Sequence, residues 1–359
     1  MQCAIVGPHL SGKSTLFNIL TGTESDAHSG TTEVRRGVAK IRDSLLDKLS
    51  QVMESRKTVY ATVEYVDIPG TPAKTSSGDT YSTKALADLR SCDMLAMVVR
   101  AFVNEAVPHP AGSVDPSRDI EEGLLEFALN DLATIEKRLD KLRKSLTPEI
   151  KQEIALLEKC QAPLSDGVSL RDVEFSEAEQ KAMRSFAFLS RKPILVVVNI
   201  GEDQVAEAPR ILADLQTAIS AGKQDIGWVT VAAEIEAEIA MLDDEERSQF
   251  IADLGFEQSA IDRITQATAK LLGLINFYTA GEKESRSWLI RAGWKAPQAA
   301  GVIHGDMERG FIRAVVCDYD DLLGTNGSFS KLKDVGKLRL EGKEYVVKEH
   351  DVLEIRFNV

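Results

Sequence analysis

The pattern Gly7-x-x-x-x-Gly12-Lys13-Ser14 constrains this chain more than any other feature, because it sits between the apolar run Cys3 to Val6 and a helical stretch carrying Leu16, Phe17 and Leu20. Glycines at both ends of such a turn let the backbone enter conformations closed to most residues, so successive N–H groups converge where a phosphate belongs. Lys13 adds a point charge there and Ser14 a hydroxyl for Mg²⁺, while a helix starting near Lys13 aims its positive end at the same anion. Gly7, Leu10, Ser11, Gly12, Lys13, Ser14 and Thr15 are the expected cradle, with Lys13 also stabilising charge during phosphoryl transfer. A strand feeding such a loop predicts an α/β fold.

Further elements are spaced as nucleotide chemistry needs them. Thr58 to Asp67 alternates like a strand and ends in Asp67-Ile-Pro-Gly70, so Asp67 is a candidate for the metal shell and the Gly70 N–H for the γ-phosphate. The polar segment Asp26 to Arg36 reads as a mobile connection whose Thr31 or Thr32 would close on Mg²⁺. Thr71 to Ser82 reads as a second flexible switch, with Thr71 standing where Ras-like enzymes place a water-orienting glutamine. Met94 to Val99 is a buried strand that delivers Arg100-Ala-Phe102 to the sheet's carboxyl edge, where ligands of open α/β sheets bind.

Pro193 to Val198 is another buried strand, followed by Asn199-Ile200-Gly201-Glu202. GTPases present N-K-x-D at this place, the acid accepting two guanine N–H bonds; here Ile200 and Glu202 break that signature twice. Asn199 can still meet a purine N7 and an exocyclic amino group, which adenine also offers. Trp228 to Ala233 is a last strand whose end could close over the base.

Between these strands the period changes. Leu132, Ile135, Leu139, Leu142 and Leu146 recur three and four apart until Pro148, which should stop the run; Ile150, Ile154 and Leu157 resume it. A break over Gln161 to Ser169 precedes Ser176-Glu-Ala-Glu179, a capping box opening a third helix. An antiparallel helical arm inserted into the nucleotide domain is the reading. From Ile275 onward, short alternating runs at Phe311–Val316, Lys337–Leu340, Glu344–Val347 and Val352–Phe357 predict a small mixed β module.

The formal charge of −13 argues against an extended polyanion-binding surface, and DNA is not expected. From Gly281 to Val359, however, 13 basic residues balance 13 acidic ones, so any contact with RNA is expected at that end. Cys3, Cys92, Cys160 and Cys317 are too scattered for a zinc site and read as idle thiols. No apolar run approaches a membrane span and no leader pattern opens the chain, so a cytoplasmic monomer is expected.

These motifs coincide with one family. The chain resembles the YchF / Obg-like ATPases over nearly its full length, most specifically in FYTAGEKESRSWLIRAGWKAPQAAGVIHGDMERGFIRA and KLRLEGKEYVVKEHDVLEIRFNV, which look like the family's TGS domain, and also in VVRAF at 98–102, GSVDPSRDIE at 112–121 and N-x-x-E at 199–202. The resemblance implies a Ras-like nucleotide domain over 1–118 and 193–278, a coiled-coil arm over 119–192 and a ubiquitin-like (β-grasp) TGS domain over 279–359. It implies ATP in preference to GTP, slow Mg²⁺-dependent hydrolysis, and association with the ribosome or ribosomal RNA through the arm and the TGS domain. On that pattern Asn199 and Ile200 contact adenine within an N-x-x-E motif whose acid is Glu202, Phe102 packs on it, Ser14 and Thr31 serve Mg²⁺, and His109 falls where the family carries a water-orienting histidine.

The chain also departs from the pattern. Leu10 replaces an asparagine suited to a monovalent cation, DIPGTPAKTSSGD replaces the family's D-x-A-G-L-V-K-G-A, and AHSG replaces its N-Y-P-F. Those changes leave two alternatives to an ATP hydrolase: a nucleotide-gated binding module without turnover, and a GTPase.

Overall fold

The computed structural model describes residues 1–23, 34–69, 81–143, 147–219, 225–242, 246, 249–250 and 258–358. By its contacts the chain divides into two units, Met1–Ala39 with Glu64–Leu271, and Lys40–Val63 with Leu272–Val359. The sequence reading ran the nucleotide domain without a break to 118, whereas the contacts group 40–63 with the C-terminal residues.

In the first unit β1 (Gln2–Val6) turns into α1 (Lys13–Thr21), and β2 (Arg35–Lys40) follows. The chain then contributes α2 (Ser44–Val52) and β3 (Thr58–Val59) to the second unit before returning in β4 (Thr62–Asp67). The helix α3 (Thr83–Ser91), β5 (Met94–Arg100), β6 (Ile194–Asn199) and β7 (Ile226–Val231) complete a sheet of order β2-β4-β1-β5-β6-β7. β1 pairs in parallel with β4 and β5, β5 with β6, and β6 with β7. Every residue of β5 and β6 is buried, which is why these strands read as unbroken apolar runs rather than alternating ones. Parallel pairing puts the ends of β1, β4, β5 and β6 on one edge, and that edge receives Gly7, Asp67, Arg100 and Asn199.

Thr58 to Asp67 is not the single strand its alternation suggested. The break falls at Ala61, whose N–H donates to Ser287 Oγ (2.8 Å) and whose carbonyl accepts from Ile41 N (2.8 Å). β3 pairs with β9 (Ser285–Arg291) in one sheet while β4 pairs with β1 in the other, and a period of two cannot register that switch of partner.

The inserted helices are α4 (Pro116–Leu142), α5 (Pro148–Ser165) and α6 (Glu177–Met183). Asp115 caps α4 by accepting from Arg118 N. Pro148, expected to end a helix, starts one: Thr147 caps it and proline is the first helical residue, where a missing N–H costs nothing. α5 also carries Pro163 inside it and runs to Ser165, past the break expected at Gln161. The Ser176–Glu179 capping box is present as read. Ile135, Leu139 and Leu142 pack with Leu156, Leu157, Cys160 and Met183 into a core of the arm's own, while Leu146 lies outside the described residues.

The second unit carries a sheet of order β11-β10-β12-β8-β9-β3, with β8 (Leu274–Thr279), β10 (Phe311–Asp318), β11 (Arg339–Glu341) and β12 (Asp351–Phe357). Glu344–Val347 is not a strand; it makes one isolated bridge, Val346 to Lys295, and buries Val347. α2, capped by Asp43, packs Leu46 and Leu49 against Tyr278, Tyr319, Leu322 and Leu332. All four cysteines are free and buried. Among the described residues no helix is long and apolar enough to cross a membrane.

Candidate nucleotide site

Gly7 (φ 135°) and Gly12 (φ 97°) occupy backbone regions that L-residues avoid. A Cβ on Gly7 would sit 2.1 Å from the Val98 carbonyl oxygen, and one on Gly12 would sit 2.4 Å from Asn199 Nδ2, so space and torsion both demand glycine. α1 begins at Lys13, has no side-chain cap at Gly12 and no acid in its first turn. Its first N–H groups, with no earlier carbonyl to bond, remain presented to an anion. The Ser11 hydroxyl is buried without a partner among the described residues.

The Lys13 ammonium donates to the carbonyls of Gly7 (2.9 Å) and Pro8 (2.5 Å), folding back over the loop. Burial pulls its pKa down to about 8, against the opposing pull of Asp67. Ser14 Oγ donates to Asp67 Oδ2 at 3.2 Å, so the two metal candidates from α1 and β4 meet. A hydroxyl and a carboxylate are the hard oxygen donors Mg²⁺ takes when phosphates and waters complete its shell, and the pair fits that ion. Among the described residues no group of three or more His, Cys, Asp or Glu gathers into a richer metal cage. Asp67 has a third partner that the sequence did not reveal. Arg35, from β2, places Nη2 at 2.5 Å from the same Oδ2, donates through Nη1 to Asn18 (3.1 Å) and lies over the Phe17 ring. Gly70 and Thr31, named for catalysis and metal, lie outside the described residues, as does Thr71.

At the base-reading end, Asn199 is buried and uses both polar atoms. Nδ2 donates to the Ser11 carbonyl (3.1 Å) and Oδ1 accepts from Ala233 N (3.2 Å), tying the phosphate loop to the helix Ala233–Ile239. The Ile200 side chain points into the core with Val198 and Ala232, and its N–H donates to the Val231 carbonyl (2.8 Å). Glu202 is exposed and opens a short 3₁₀ turn. Phe102 is half-buried beneath the Arg100 guanidinium, 4.8 Å from the ring centre. Arg100 itself is 2 % exposed and organises this loop, donating to the carbonyls of Phe102 (2.9 Å), Asn104 (3.4 Å) and Val107 (2.8 Å). Its signal was a charge closing the apolar run MLAMVVR, where only bonded burial makes sense.

His109 is held rather than free. Its Nδ1 accepts from Ala111 N (3.2 Å) and its Nε2 meets Asp119 Oδ2 (3.0 Å), which fixes the tautomer with the proton on Nε2. Asp119, in the first turn of α4, also pairs with Arg118 at 2.8 Å.

A parallel sheet with a glycine-bounded phosphate loop, an acid at the end of β4 and an inserted helical arm defines a P-loop nucleoside triphosphatase. A family model described as a 50S ribosome-binding GTPase matches residues 2–128, and one labelled YchF-GTPase_C, described as a protein of unknown function (DUF933), matches residues 274–358. The Ribosome-binding ATPase YchF of Bacillus subtilis is 40% identical over the whole of both chains, and that of Escherichia coli O157:H7 is 40% identical over 100% of this chain and 99% of its own. The solved structure of the Schizosaccharomyces pombe YchF GTPase superimposes with a TM-score of 0.87 at 28% identity, covering 99% of this chain and 97% of that one. The chain belongs to the YchF family.

Proposed function

We propose that the protein binds ATP with Mg²⁺, hydrolyses it slowly, and passes its nucleotide state to the ribosome through the helical arm and the C-terminal unit, in the cytoplasm. The observation that carries the nucleotide reading is the uncapped, acid-free start of α1 inside the Gly7–Gly12 loop, with Lys13 buried beside it and Ser14 meeting Asp67. Relatives named ribosome-binding ATPases align end to end, which supports the ribosome as partner.

On this reading the N–H groups of Ser11 to Thr15 bind the phosphates, and Lys13 swings from its loop carbonyls to the β- and γ-oxygens. Ser14 and Asp67 would hold Mg²⁺, and the ion would supply charge neutralisation for the transferred phosphoryl group. Thr31 and the Gly70 N–H complete the γ-phosphate contacts. Asn199 fixes the loop against the base site, and Phe102 stacks under the purine. Adenine is favoured because Ile200 and Glu202 supply no compact bidentate acid for guanine. His109 orients the attacking water only by giving up Asp119 or the Ala111 N–H, so its catalytic role requires the 102–112 loop to shift.

Competition with a labelled ATP analogue tests the base: GTP should displace it at least ten times more weakly than ATP. Single-turnover hydrolysis tests the reaction, and ATP consumed no faster than by Lys13→Ala would leave only a nucleotide-gated binding module. Cosedimentation with ribosomal particles, with and without ATP, tests the partner.

A further inference from the structure

The opposite edge of the same sheet carries a second cluster of charge that the nucleotide reading does not use. There the turns entering β5, β6 and β7 meet the base of the helical arm around a cleft of about 760 Å³, lined in part by Arg90, Arg171, Arg184, Arg191, Lys192 and Phe175. Strands of six or seven residues separate this edge from the phosphate loop by roughly 20 Å.

Among the described residues none of Arg171, Arg184 and Arg191 makes a direct ion pair, although Asp131, Asp172 and Asp225 act on Arg171 from a distance. Arg171 is 6 % exposed; its Nε donates to the Ser190 carbonyl (3.3 Å), but Nη1 and Nη2 have no acceptor among the described residues. A buried guanidinium normally has its fork filled, because nitrogens taken out of water without an acceptor are costly. Burial drags the Arg171 pKa down to about 10, against the opposing pull of Asp172, Asp225 and Asp131. Arg191, half-buried, is pushed down by burial and by neighbouring Arg184, and among the described residues no hydrogen bond or ion pair anchors either side chain. Arg90 and Lys192 are already spoken for: Arg90 Nη2 holds Thr134 Oγ1 (2.8 Å), and Lys192 Nζ holds the carbonyls of Arg90 (3.0 Å) and Cys92.

Three guanidiniums thus face one cleft in a chain whose net charge is −13. Of the acids that line it, Glu174 and Asp225 make no ion pair with any of the three among the described residues, although Asp225 partly offsets the charge of Arg171. We propose that this cleft binds a compact phosphate-bearing anion, with Arg184 and Arg191 as its forked ligands and Arg171 supplying buried positive charge in the floor. A compact ligand is favoured over a nucleic-acid backbone for two reasons. The volume lies in the range of small-molecule pockets, ~300–1,000 Å³, and an extended polyanion leaving the cleft would pass Glu174 and Asp225 on a strongly acidic molecule.

The test uses full-length protein saturated with Mg·ADP, so that the phosphate loop is filled, titrated with inorganic pyrophosphate by calorimetry. One site is expected, and its affinity should fall at least tenfold in Arg184→Ala/Arg191→Ala while ATP turnover stays unchanged. Removing like charges that face each other should also leave the ligand-free melting temperature unchanged or higher, which separates a binding role from a packing one. Arg184→Ala alone, at an exposed position, should weaken pyrophosphate by a smaller factor and guards against misfolding of the double variant. Equal affinity in native and double-variant protein would overturn the proposal, as would binding seen only without ADP. A short RNA retained by native protein, lost in the double variant and not displaced by pyrophosphate would overturn the compact ligand.

Discussion

At the scale of single residues the phosphate loop trades stability for readiness. Leu10 stands at φ 62° and 44% exposed, so it gains little from burial and still bears the left-handed penalty. That penalty is about 1–2 kcal/mol for an ordinary L-residue and smaller for asparagine. Leu10→Asn should therefore raise the urea midpoint of the nucleotide-free protein, by about 1 kcal/mol in stability. Native turnover, with no side-chain oxygen at this position, should be the same in K⁺ as in Na⁺. Lys13 is the second case. Its pKa of about 8 lies below the unfolded value of 10.5, so below pH 8 both states hold the proton and the folded state carries the whole desolvation cost, about 3 kcal/mol. Between pH 8 and 10.5 the unfolded chain binds more protons, and native stability climbs with pH. Lys13→Met should accordingly melt higher than native protein at pH 7 without nucleotide, with the gap narrowing by pH 10. A lower melting point at pH 7 would mean that the bonds to Gly7 and Pro8 outweigh the burial.

Among elements, the coupling of β2 to β4 stands out because Arg35 reaches the very oxygen that Ser14 touches, Asp67 Oδ2. A guanidinium there neutralises a nearly buried carboxylate, and on the proposed reading Mg²⁺ would have to share or displace it. Arg35→Ala should lower the Mg²⁺ concentration that half-saturates binding of an ATP analogue several-fold; a higher Mg²⁺ requirement would instead make Arg35 a phosphate ligand. Nothing in the sequence announced this pair, since Arg35 lies in a polar stretch without period and its partner is 32 residues away. What could be read locally was the loop, the buried strands β5 and β6 and the α6 capping box, because each is fixed by neighbours within a few residues. Pro148 was misread for the opposite reason. A proline ends one helix and starts another equally well, and the outcome depends on Thr147 capping the second. The same limit hid Asp119 as the partner of His109, a contact made by how α4 is entered rather than by any motif.

For the molecule as a whole, the least legible fact is that residues 40–63 belong with 272–359. Sequence distance concealed it: Tyr278 OH donates to Asp43 Oδ2 (2.7 Å), Tyr319 OH to the Leu45 carbonyl (2.9 Å), and Ser55 Oγ to the Gly281 carbonyl (2.8 Å), each across more than 220 residues. β3 closes the edge of the second sheet, Ser285 N donating to the Lys57 carbonyl (3.0 Å), and Leu46 and Leu49 are wholly buried in a cluster with Tyr278, Tyr319, Leu322 and Leu332. Burying a leucine contributes about 1.5–3 kcal/mol, so losing both removes an amount comparable to the total stability of a domain this small, about 5–15 kcal/mol at most. A fragment of 272–359 alone would expose the face that α2 covers and leave the β9 edge unpaired. It should lack a cooperative thermal transition and bind a hydrophobic dye. A single chain joining 40–63 to 272–359 through a Gly/Ser linker should recover that transition. Cooperative melting of the bare fragment would refute the partition, and would mean that the excursion of the chain between β2 and β4 decorates the second unit rather than completing it.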